Sequence, residues 1–146
     1  MRIPFSRVAP VLLAGMLAGC HSRPARPVEI ERSDMCGHCR MAISERQFAA
    51  EILDADENAT KFDDIGCLLH YLDSNRDKVV NVFVVDYVTR RWLDANAAYF
   101  VRVKEIATPM GGGIIALGDR QRAETFAREH ASAVVRFAEL TSGRQP

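Results

Sequence analysis

The stretch Lys61-Phe62-Asp63-Asp64-Ile65 decides the fold, because its pattern recurs as Arg91-Trp92-Leu93-Asp94-Ala95. In each stretch a basic residue, an aromatic residue and an aspartate occupy the same relative positions. Aspartate is a preferred N-cap residue, so both stretches predict a short strand that passes directly into a helix. The recurrence therefore predicts two β-β-α modules in a small single globular unit. This is an α+β fold, with strands in one layer and helices packed against it.

The hydrophobic pattern around these stretches predicts the remaining elements. The first module comprises a strand at 47–53, a turn at 54–58, a strand at 60–62 and a helix from Asp63 or Asp64 to Leu72. The second comprises a strand at 79–85, a turn at 86–89, a strand at 91–93 and a helix from Asp94 to Val101. After them come a loop at 107–113, a strand at 114–117 and a helix from Asp119 to His130. Residues 131–140 fit either a continued helix or a final strand at 133–137.

Residues 1–19 have the pattern of a bacterial lipoprotein signal peptide. Arg2 and Arg7 give a positively charged start, and the apolar run at 8–18 is too short to span a bilayer. Leu17-Ala18-Gly19-Cys20 resembles a lipobox, which predicts cleavage before Cys20 and acylation of that cysteine. An ordinary signal peptide with a stray cysteine and an uncleaved anchor are the alternatives.

The chain after the lipobox divides into a tether, a domain and a tail. Residues 20–33 are polar and proline-rich, which predicts a flexible tether between the lipid on Cys20 and a domain at 34–140. Residues 141–146 are predicted to be a frayed tail. His21, rather than an aspartate associated with inner-membrane retention, follows Cys20, so we expect a periplasm-facing protein of the outer membrane.

Charge and motifs exclude several function classes. Removal of residues 1–19 takes away Arg2 and Arg7, which leaves 17 Lys+Arg against 19 Asp+Glu, or a net charge of −2. This balance, without a basic stripe, predicts no nucleic-acid partner. The sequence contains no nucleophile elbow, phosphate loop or dinucleotide fingerprint. We therefore expect a binding protein rather than an enzyme.

The clearest functional signal is Met35-Cys36-Gly37-His38-Cys39-Arg40-Met41, which holds two thiols, two thioethers and an imidazole. Thiolate and thioether sulfurs are soft ligands, and together they favour Cu(I) over hard cations. Cys39 and Met41 are two residues apart, so in an extended strand both side chains share one face. The Cys36-x-x-Cys39 pair also fits half of a structural zinc site, a redox pair or a disulfide.

Other residues can extend this site. Four further candidate ligands are His38, Cys67, His70 and Met110. A Cys-x-x-Cys pair followed by a Cys-x-x-His pair is a recognised zinc pattern, formed here by Cys36, Cys39, Cys67 and His70. The sequence therefore leaves open a zinc-stapled structural lipoprotein. Such a site has no use for Met41 or for Met110, which stands in the glycine-rich loop.

Over residues 34–130 the sequence resembles the NosL family, the nitrous oxide reductase accessory lipoproteins. Besides the lipobox, the resemblance rests on Cys36-Gly37-His38-Cys39-Arg40-Met41, Phe62-Asp63-Asp64-Ile65-Gly66-Cys67, Val85-Asp86-Tyr87, Trp92-Leu93-Asp94-Ala95 and Thr108-Pro109-Met110-Gly111-Gly112-Gly113. It implies a periplasm-facing Cu(I) chaperone that passes copper toward nitrous oxide reductase assembly. It also implies a fold of paired β-β-α modules similar to part of organomercurial lyase.

The resemblance also implies site residues and partners. The Cys-x-Met element of the family falls on Cys39 and Met41, and its later methionine falls on Met110. These three are the implied Cu(I) ligands, while the possible additional ligands are Cys36, His38, Cys67 and His70. The implied partners are copper donor and acceptor proteins, with the membrane reached through the lipid. The client is nitrous oxide reductase or another exported copper enzyme. A thiol oxidoreductase or a lyase is the enzymatic alternative, and it requires turnover by Cys36 and Cys39.

Overall fold

The computed structural model describes residues 24–142, so residues 1–23, which include the predicted signal peptide and Cys20, and residues 143–146 lie outside the described part. Its strands are β1 (Ala50–Leu53), β2 (Ala59–Phe62), β3 (Asn81–Val85), β4 (Trp92–Asp94), β5 (Tyr99–Arg102), β6 (Ile114–Leu117) and β7 (Val134–Val135). Its α-helices are α1 (Ile65–Asn75), α2 (Arg120–Glu129) and α3 (Phe137–Ser142). Among residues 24–142, no helix is both long enough and apolar enough to cross a membrane.

A four-stranded antiparallel sheet with the order β2-β1-β3-β4 supports the N-terminal half. Ala50 of β1 lies opposite Phe62 on one side and Val84 on the other, so the apolar residues align in register. Helix α1 packs against the face of the sheet that carries Ala50, Phe62 and Val84. Its buried leucines there are Leu68, Leu69 and Leu72. Its first turn thereby lies at the end of β2.

A smaller antiparallel sheet with the order β6-β5-β7 supports the C-terminal half. Helix α2 buries Ala123 and Ala127 against it. The two sheets meet where Asp86, just after β3, forms a parallel bridge with Ala116 of β6. Here the Tyr87 N–H donates to the Ala116 carbonyl at 2.9 Å, and the Gly118 N–H donates to the Asp86 carboxylate at 2.7 Å. One core cluster contains residues of both halves, so they form a single unit.

The α+β class is confirmed, but the second β-β-α module lies one hairpin further along the chain than the sequence predicts. The modules are β1-β2-α1 and β5-β6-α2. The helix predicted from Asp94 to Val101 is wrong. Asp94 accepts a hydrogen bond from the Asn96 N–H at 2.8 Å, which forms a turn, and the chain then enters β5. The Tyr-Phe-Val run that follows favours a strand, and pairing with β6 satisfies its backbone.

At three other places the structure corrects a predicted boundary or shows which of two predicted alternatives is present. The first strand starts at Ala50 rather than at residue 47, because a short 3-10 helix occupies Arg46–Phe48. Residues 131–140 contain both alternatives, since β7 precedes α3. The start of α1 follows the prediction, because the Asp64 side chain caps it by accepting from the Gly66 N–H.

The end of the predicted tether contacts the sheet on the side away from α1. The Val28 N–H donates to the Glu51 carboxylate at 2.9 Å, and Lys61 Nζ donates to the Glu29 carbonyl at 2.6 Å. Lys61 also pairs with Asp34 at 2.6 Å. These contacts bury Glu51 completely and leave its Oε2 without a hydrogen-bond partner. The N-terminal segment therefore covers a buried carboxyl group on β1.

We predict that Glu51→Gln removes a pH-dependent loss of stability. Burial raises the pKa of Glu51, against the opposing effects of the Val28 N–H hydrogen bond and of Lys61. Asp34 and Glu29 raise the pKa further. A carboxyl whose folded-state pKa is raised destabilises the fold as pH climbs from its unfolded pKa, about 4.3, through its folded pKa. Over that range the free energy of unfolding of the variant should therefore rise relative to that of wild type. The rise is about 1.4 kcal/mol for each pH unit that separates the two pKa values.

Urea unfolding between pH 4 and pH 8 measures this difference, with the exposed Glu129→Gln as the matched control. Glu129→Gln should follow the wild-type curve at every pH. If the difference between Glu51→Gln and wild type stays constant across this range, Glu51 carries no raised pKa in the folded protein.

Candidate metal centre

Residues 35–42 form a tight hairpin that presents two cysteines. Met35 bridges Ala42, the Cys36 N–H donates to the Met41 carbonyl at 2.8 Å, and the Arg40 N–H donates to the Cys36 carbonyl at 3.0 Å. Arg40 has a φ of 66°, which reverses the chain after Cys39. The prediction that Cys39 and Met41 share the face of an extended strand is therefore wrong, because Cys39 lies in the turn.

The cysteine hairpin (residues 35–42) is fastened to β2 by its backbone. The Gly37 N–H donates to the Lys61 carbonyl at 2.8 Å. A Cβ at position 37 would strike Cγ2 of Thr60, so only glycine permits this approach without a shift. The hydrogen bond places the hairpin beside the junction of β2 and α1, where Asp63 and Cys67 lie.

Four side chains converge at this junction: Cys36, Cys39, Asp63 and Cys67. Their potential ligand atoms all lie within 4.8 Å of one another. Cys36, Asp63 and Cys67 are buried, whereas Cys39 is partly exposed at the edge of the cluster. This three-thiol cluster brings together three of the predicted candidate ligands, from two segments that are far apart in the sequence.

The buried thiols are held in their neutral form when no metal is bound. Burial raises the pKa of Cys36 and raises that of Cys67 far above its usual range. The proximity of Cys36 is the next cause of the shift at Cys67. A metal that binds these sulfurs as thiolates must therefore displace protons, so its binding is favoured as pH rises.

Sequence reasoning missed Asp63, because it treated Asp63 and Asp64 as alternative caps of one helix. Only Asp64 caps α1. Asp63 instead turns inward, and its carboxylate oxygens accept from the Cys39 thiol at 3.7 and 3.8 Å. The doubled aspartate was the available signal, since one helix N-terminus needs a single capping side chain.

The predicted methionine ligands lie at the surface around the cluster. Met41, in the cysteine hairpin, is 56% exposed, and Met110 is 47% exposed. The Met110 N–H donates to Asp64 Oδ2 at 3.3 Å, so the capping carboxylate also holds the loop that carries this methionine. Gly112 and Gly66 lie in close backbone contact, which brings this loop against the first turn of α1.

The two predicted histidines lie together outside the three-thiol cluster. The rings of His38 and His70 stack with centroids 5.4 Å apart and planes inclined by 16°. Both residues are exposed, and His70 Nδ1 lies 3.9 Å from Asp73 Oδ2. The fourth member of the cluster is thus Asp63 rather than His70, the residue predicted for a zinc site.

Comparisons with known proteins found one matching family model and a similar solved structure. The NosL family model matches residues 27–144. The crystal structure of the copper chaperone NosL from Shewanella denitrificans is similar with a TM-score of 0.74 and 22% sequence identity. The match covers 84% of this chain and 100% of that one, which shows the shared fold. A search of curated proteins found no match.

We predict that Asp64→Ala loosens the Met110 loop as well as helix α1. Loss of the N-cap should destabilise the fold by about 1 kcal/mol. Loss of the second hydrogen bond should also raise the hydrogen-exchange rate of the Met110 amide. Asp119→Ala is the matched control, because Asp119 caps α2 through the Arg122 N–H at 2.7 Å.

Hydrogen exchange and urea unfolding of both variants test this double role. Both variants should lose stability, but only Asp64→Ala should change exchange at Met110. Equal protection of Met110 in the two variants would show that Asp64 does not hold the loop.

Proposed function

The chain belongs to the NosL family, and we propose that it is a membrane-anchored, periplasm-facing chaperone that binds Cu(I) and delivers it to an exported enzyme. The proposed client is nitrous oxide reductase or another exported copper enzyme. The proposed partners are a protein that donates copper and a protein that accepts it. The lipid on Cys20 anchors the chain in this proposal, with the outer membrane as the destination.

The position of Cys39 is the observation that carries the proposal. Within the described residues it is the one thiol of the cluster that reaches the surface, and exposed Met41 follows it in the same hairpin. The third proposed ligand, Met110, is exposed on the loop that packs at the start of α1. A soft thiolate at the edge of the fold with accessible thioethers suits a soft cation that must leave again.

Charge also favours Cu(I) at these three residues. One thiolate and one Cu(I) ion make a neutral unit, and two thioethers add no charge, so these ligands bring no further charge to the site beside the buried Asp63 carboxylate. Three ligands leave Cu(I) open to a further sulfur donor. A ligand of the acceptor protein can therefore bind before Cys39 releases the ion, and copper passes between proteins without becoming free. The loop held by Asp64 can act as a lid over the site.

A zinc-stapled domain is the second candidate, and the buried three-thiol cluster favours it. Three cysteine sulfurs and the Asp63 carboxylate offer four ligands within 4.8 Å of one another, as a closed tetrahedral zinc site requires. This candidate uses Asp63 in place of His70 and leaves Met41 and Met110 without a role. It requires stoichiometric zinc in the purified protein and loss of the fold when the zinc is removed.

We predict that Cys39→Ala abolishes tight Cu(I) binding and that Met41→Ala weakens it by at least about tenfold. The first change removes the anionic ligand, and the second removes a neutral ligand that the ion does not need for charge balance. Anaerobic titration of the reduced full chain with Cu(I), in competition with a chromophoric chelator, measures both affinities. Zinc is determined on the same samples.

Met35→Ala is the matched control for Met41→Ala. The two methionines are almost equally exposed, at 54% for Met35 and 56% for Met41, and stand on opposite arms of one hairpin. Met35, however, lines a surface depression with Thr60 and Lys61 rather than belonging to the proposed site. Its variant should bind Cu(I) as wild type does. Stoichiometric zinc that blocks copper, with no effect of Met41→Ala, would support the zinc-stapled domain instead.

A further inference from the structure

The three-thiol cluster contains more sulfur than the proposed Cu(I) site uses. Cys36 and Cys67 are fully buried behind Cys39, and neither belongs to the set formed by Cys39, Met41 and Met110. A buried cysteine packs as a small hydrophobic residue, and its reactivity is what distinguishes it from one. Two adjacent buried thiols beside a copper ligand therefore call for a chemical role of their own.

Cys36 and Cys67 are placed to form a disulfide with each other. The sulfurs of Cys36, Cys39 and Cys67 all lie within 4.8 Å of one another, and Cys36 and Cys67 are the two that are buried. A disulfide bond is about 2.05 Å long, so closure needs a sulfur movement of less than about 3 Å. Cys39 has a different neighbour, because its thiol donates to the Asp63 carboxylate.

The same region offers ligands that suit the oxidised form of copper. Imidazole and carboxylate are harder ligands than thioether, and imidazole is a common ligand of Cu(II). His38 lies between the two cysteines of the hairpin, and His70 lies one turn after Cys67 on α1. Their stacked rings are exposed, so a Cu(II) ion from solution meets imidazoles at the surface beside the buried thiols.

We propose that Cys36 and Cys67 reduce Cu(II) to Cu(I), so that the chain itself produces the Cu(I) that it binds. Two Cu(II) ions each gain one electron, two thiols lose their protons to solvent, and a Cys36–Cys67 disulfide forms. One Cu(I) remains at Cys39, Met41 and Met110, where the Cys39 thiol also loses its proton to solvent, and the second passes to a soft sulfur ligand of the acceptor protein. The reaction is stoichiometric, with one round for each reduced chain. This inference rests on the proposed Cu(I) function of the same site.

The burial of the two thiols is consistent with this role. Reactive cysteines are partly exposed, whereas buried ones are inert toward general oxidants, and both thiols here are buried. A Cu(II) ion bound beside them reaches them without passing through open solvent. Oxidation of Cys36 with Cys67 also leaves Cys39 free as a thiolate ligand, whereas a Cys36–Cys39 disulfide would destroy the proposed Cu(I) site.

The test uses the full chain carrying Cys20→Ser, in which the remaining thiols are those of Cys36, Cys39 and Cys67. The reduced protein is mixed with copper(II) sulfate under anaerobic conditions, together with a chromophoric Cu(I) chelator. We expect about two Cu(I) ions per chain, because a disulfide is a two-electron couple. We also expect one remaining free thiol, and a Cys36–Cys67 cross-linked peptide by mass spectrometry. A Cys36–Cys39 peptide as the main product would overturn the proposal.

Two variants separate reduction from retention. Cys39→Ser should still reduce copper and form the disulfide, but it should not hold the Cu(I). Cys36→Ala/Cys67→Ala should hold Cu(I) supplied as such, but reduce Cu(II) at least about tenfold more slowly. Equal reduction rates in the double variant and wild type would contradict the inference. If wild type fails to bind Cu(I) supplied directly, the proposed function itself fails. Peptide mapping of the wild type remains decisive even if the double variant does not fold.

Discussion

The candidate site depends on one hydrogen bond, from the Gly37 N–H to the carbonyl of Lys61. It fastens the cysteine hairpin to β2, one residue before the strand ends at Phe62. Because α1 starts only three residues after Phe62, the hairpin, Asp63 and Cys67 are forced into one small volume. Lys61 reinforces the attachment through its side chain, which binds the Glu29 carbonyl and the Asp34 carboxylate. A glycine at position 37 is what allows the two backbones to approach.

Asp63 and Asp64 have different roles at the start of α1. Asp64 caps the helix and accepts from the Met110 N–H, so the position of the methionine loop is tied to the helix that carries Cys67. Asp63 turns into the core and contacts Cys39. Cys39 is consequently held between a buried polar cluster and the surface. In this position Cys39 can hold a metal ion that is partly shielded from solvent and is still accessible to a ligand of another protein.

Local chemistry made much of the fold predictable, and long-range pairing limited the rest. The cap at Asp64, the helix after Asp119 and the glycine-rich loop at 107–113 follow from residues that determine their own backbone. The helix expected after Asp94 fails because an aspartate cap and an aspartate turn look alike in sequence. The segment after Asp94 forms a strand because it pairs with β6, some fifteen residues away in the sequence. The doubled aspartate indicates that one of the two does not cap the helix, but the inward turn of Asp63 could not be predicted, since it depends on the distant cysteine hairpin.

X-ray absorption at the copper edge, on the full chain loaded anaerobically with Cu(I), tests the central claim most directly. The account predicts a Cu(I) edge and a first shell made of sulfur alone, with one fewer sulfur in Met110→Ala than in wild type. A first shell dominated by nitrogen or oxygen would contradict the account. An unchanged shell in Met110→Ala would also contradict it, because Met110 would then not be a ligand.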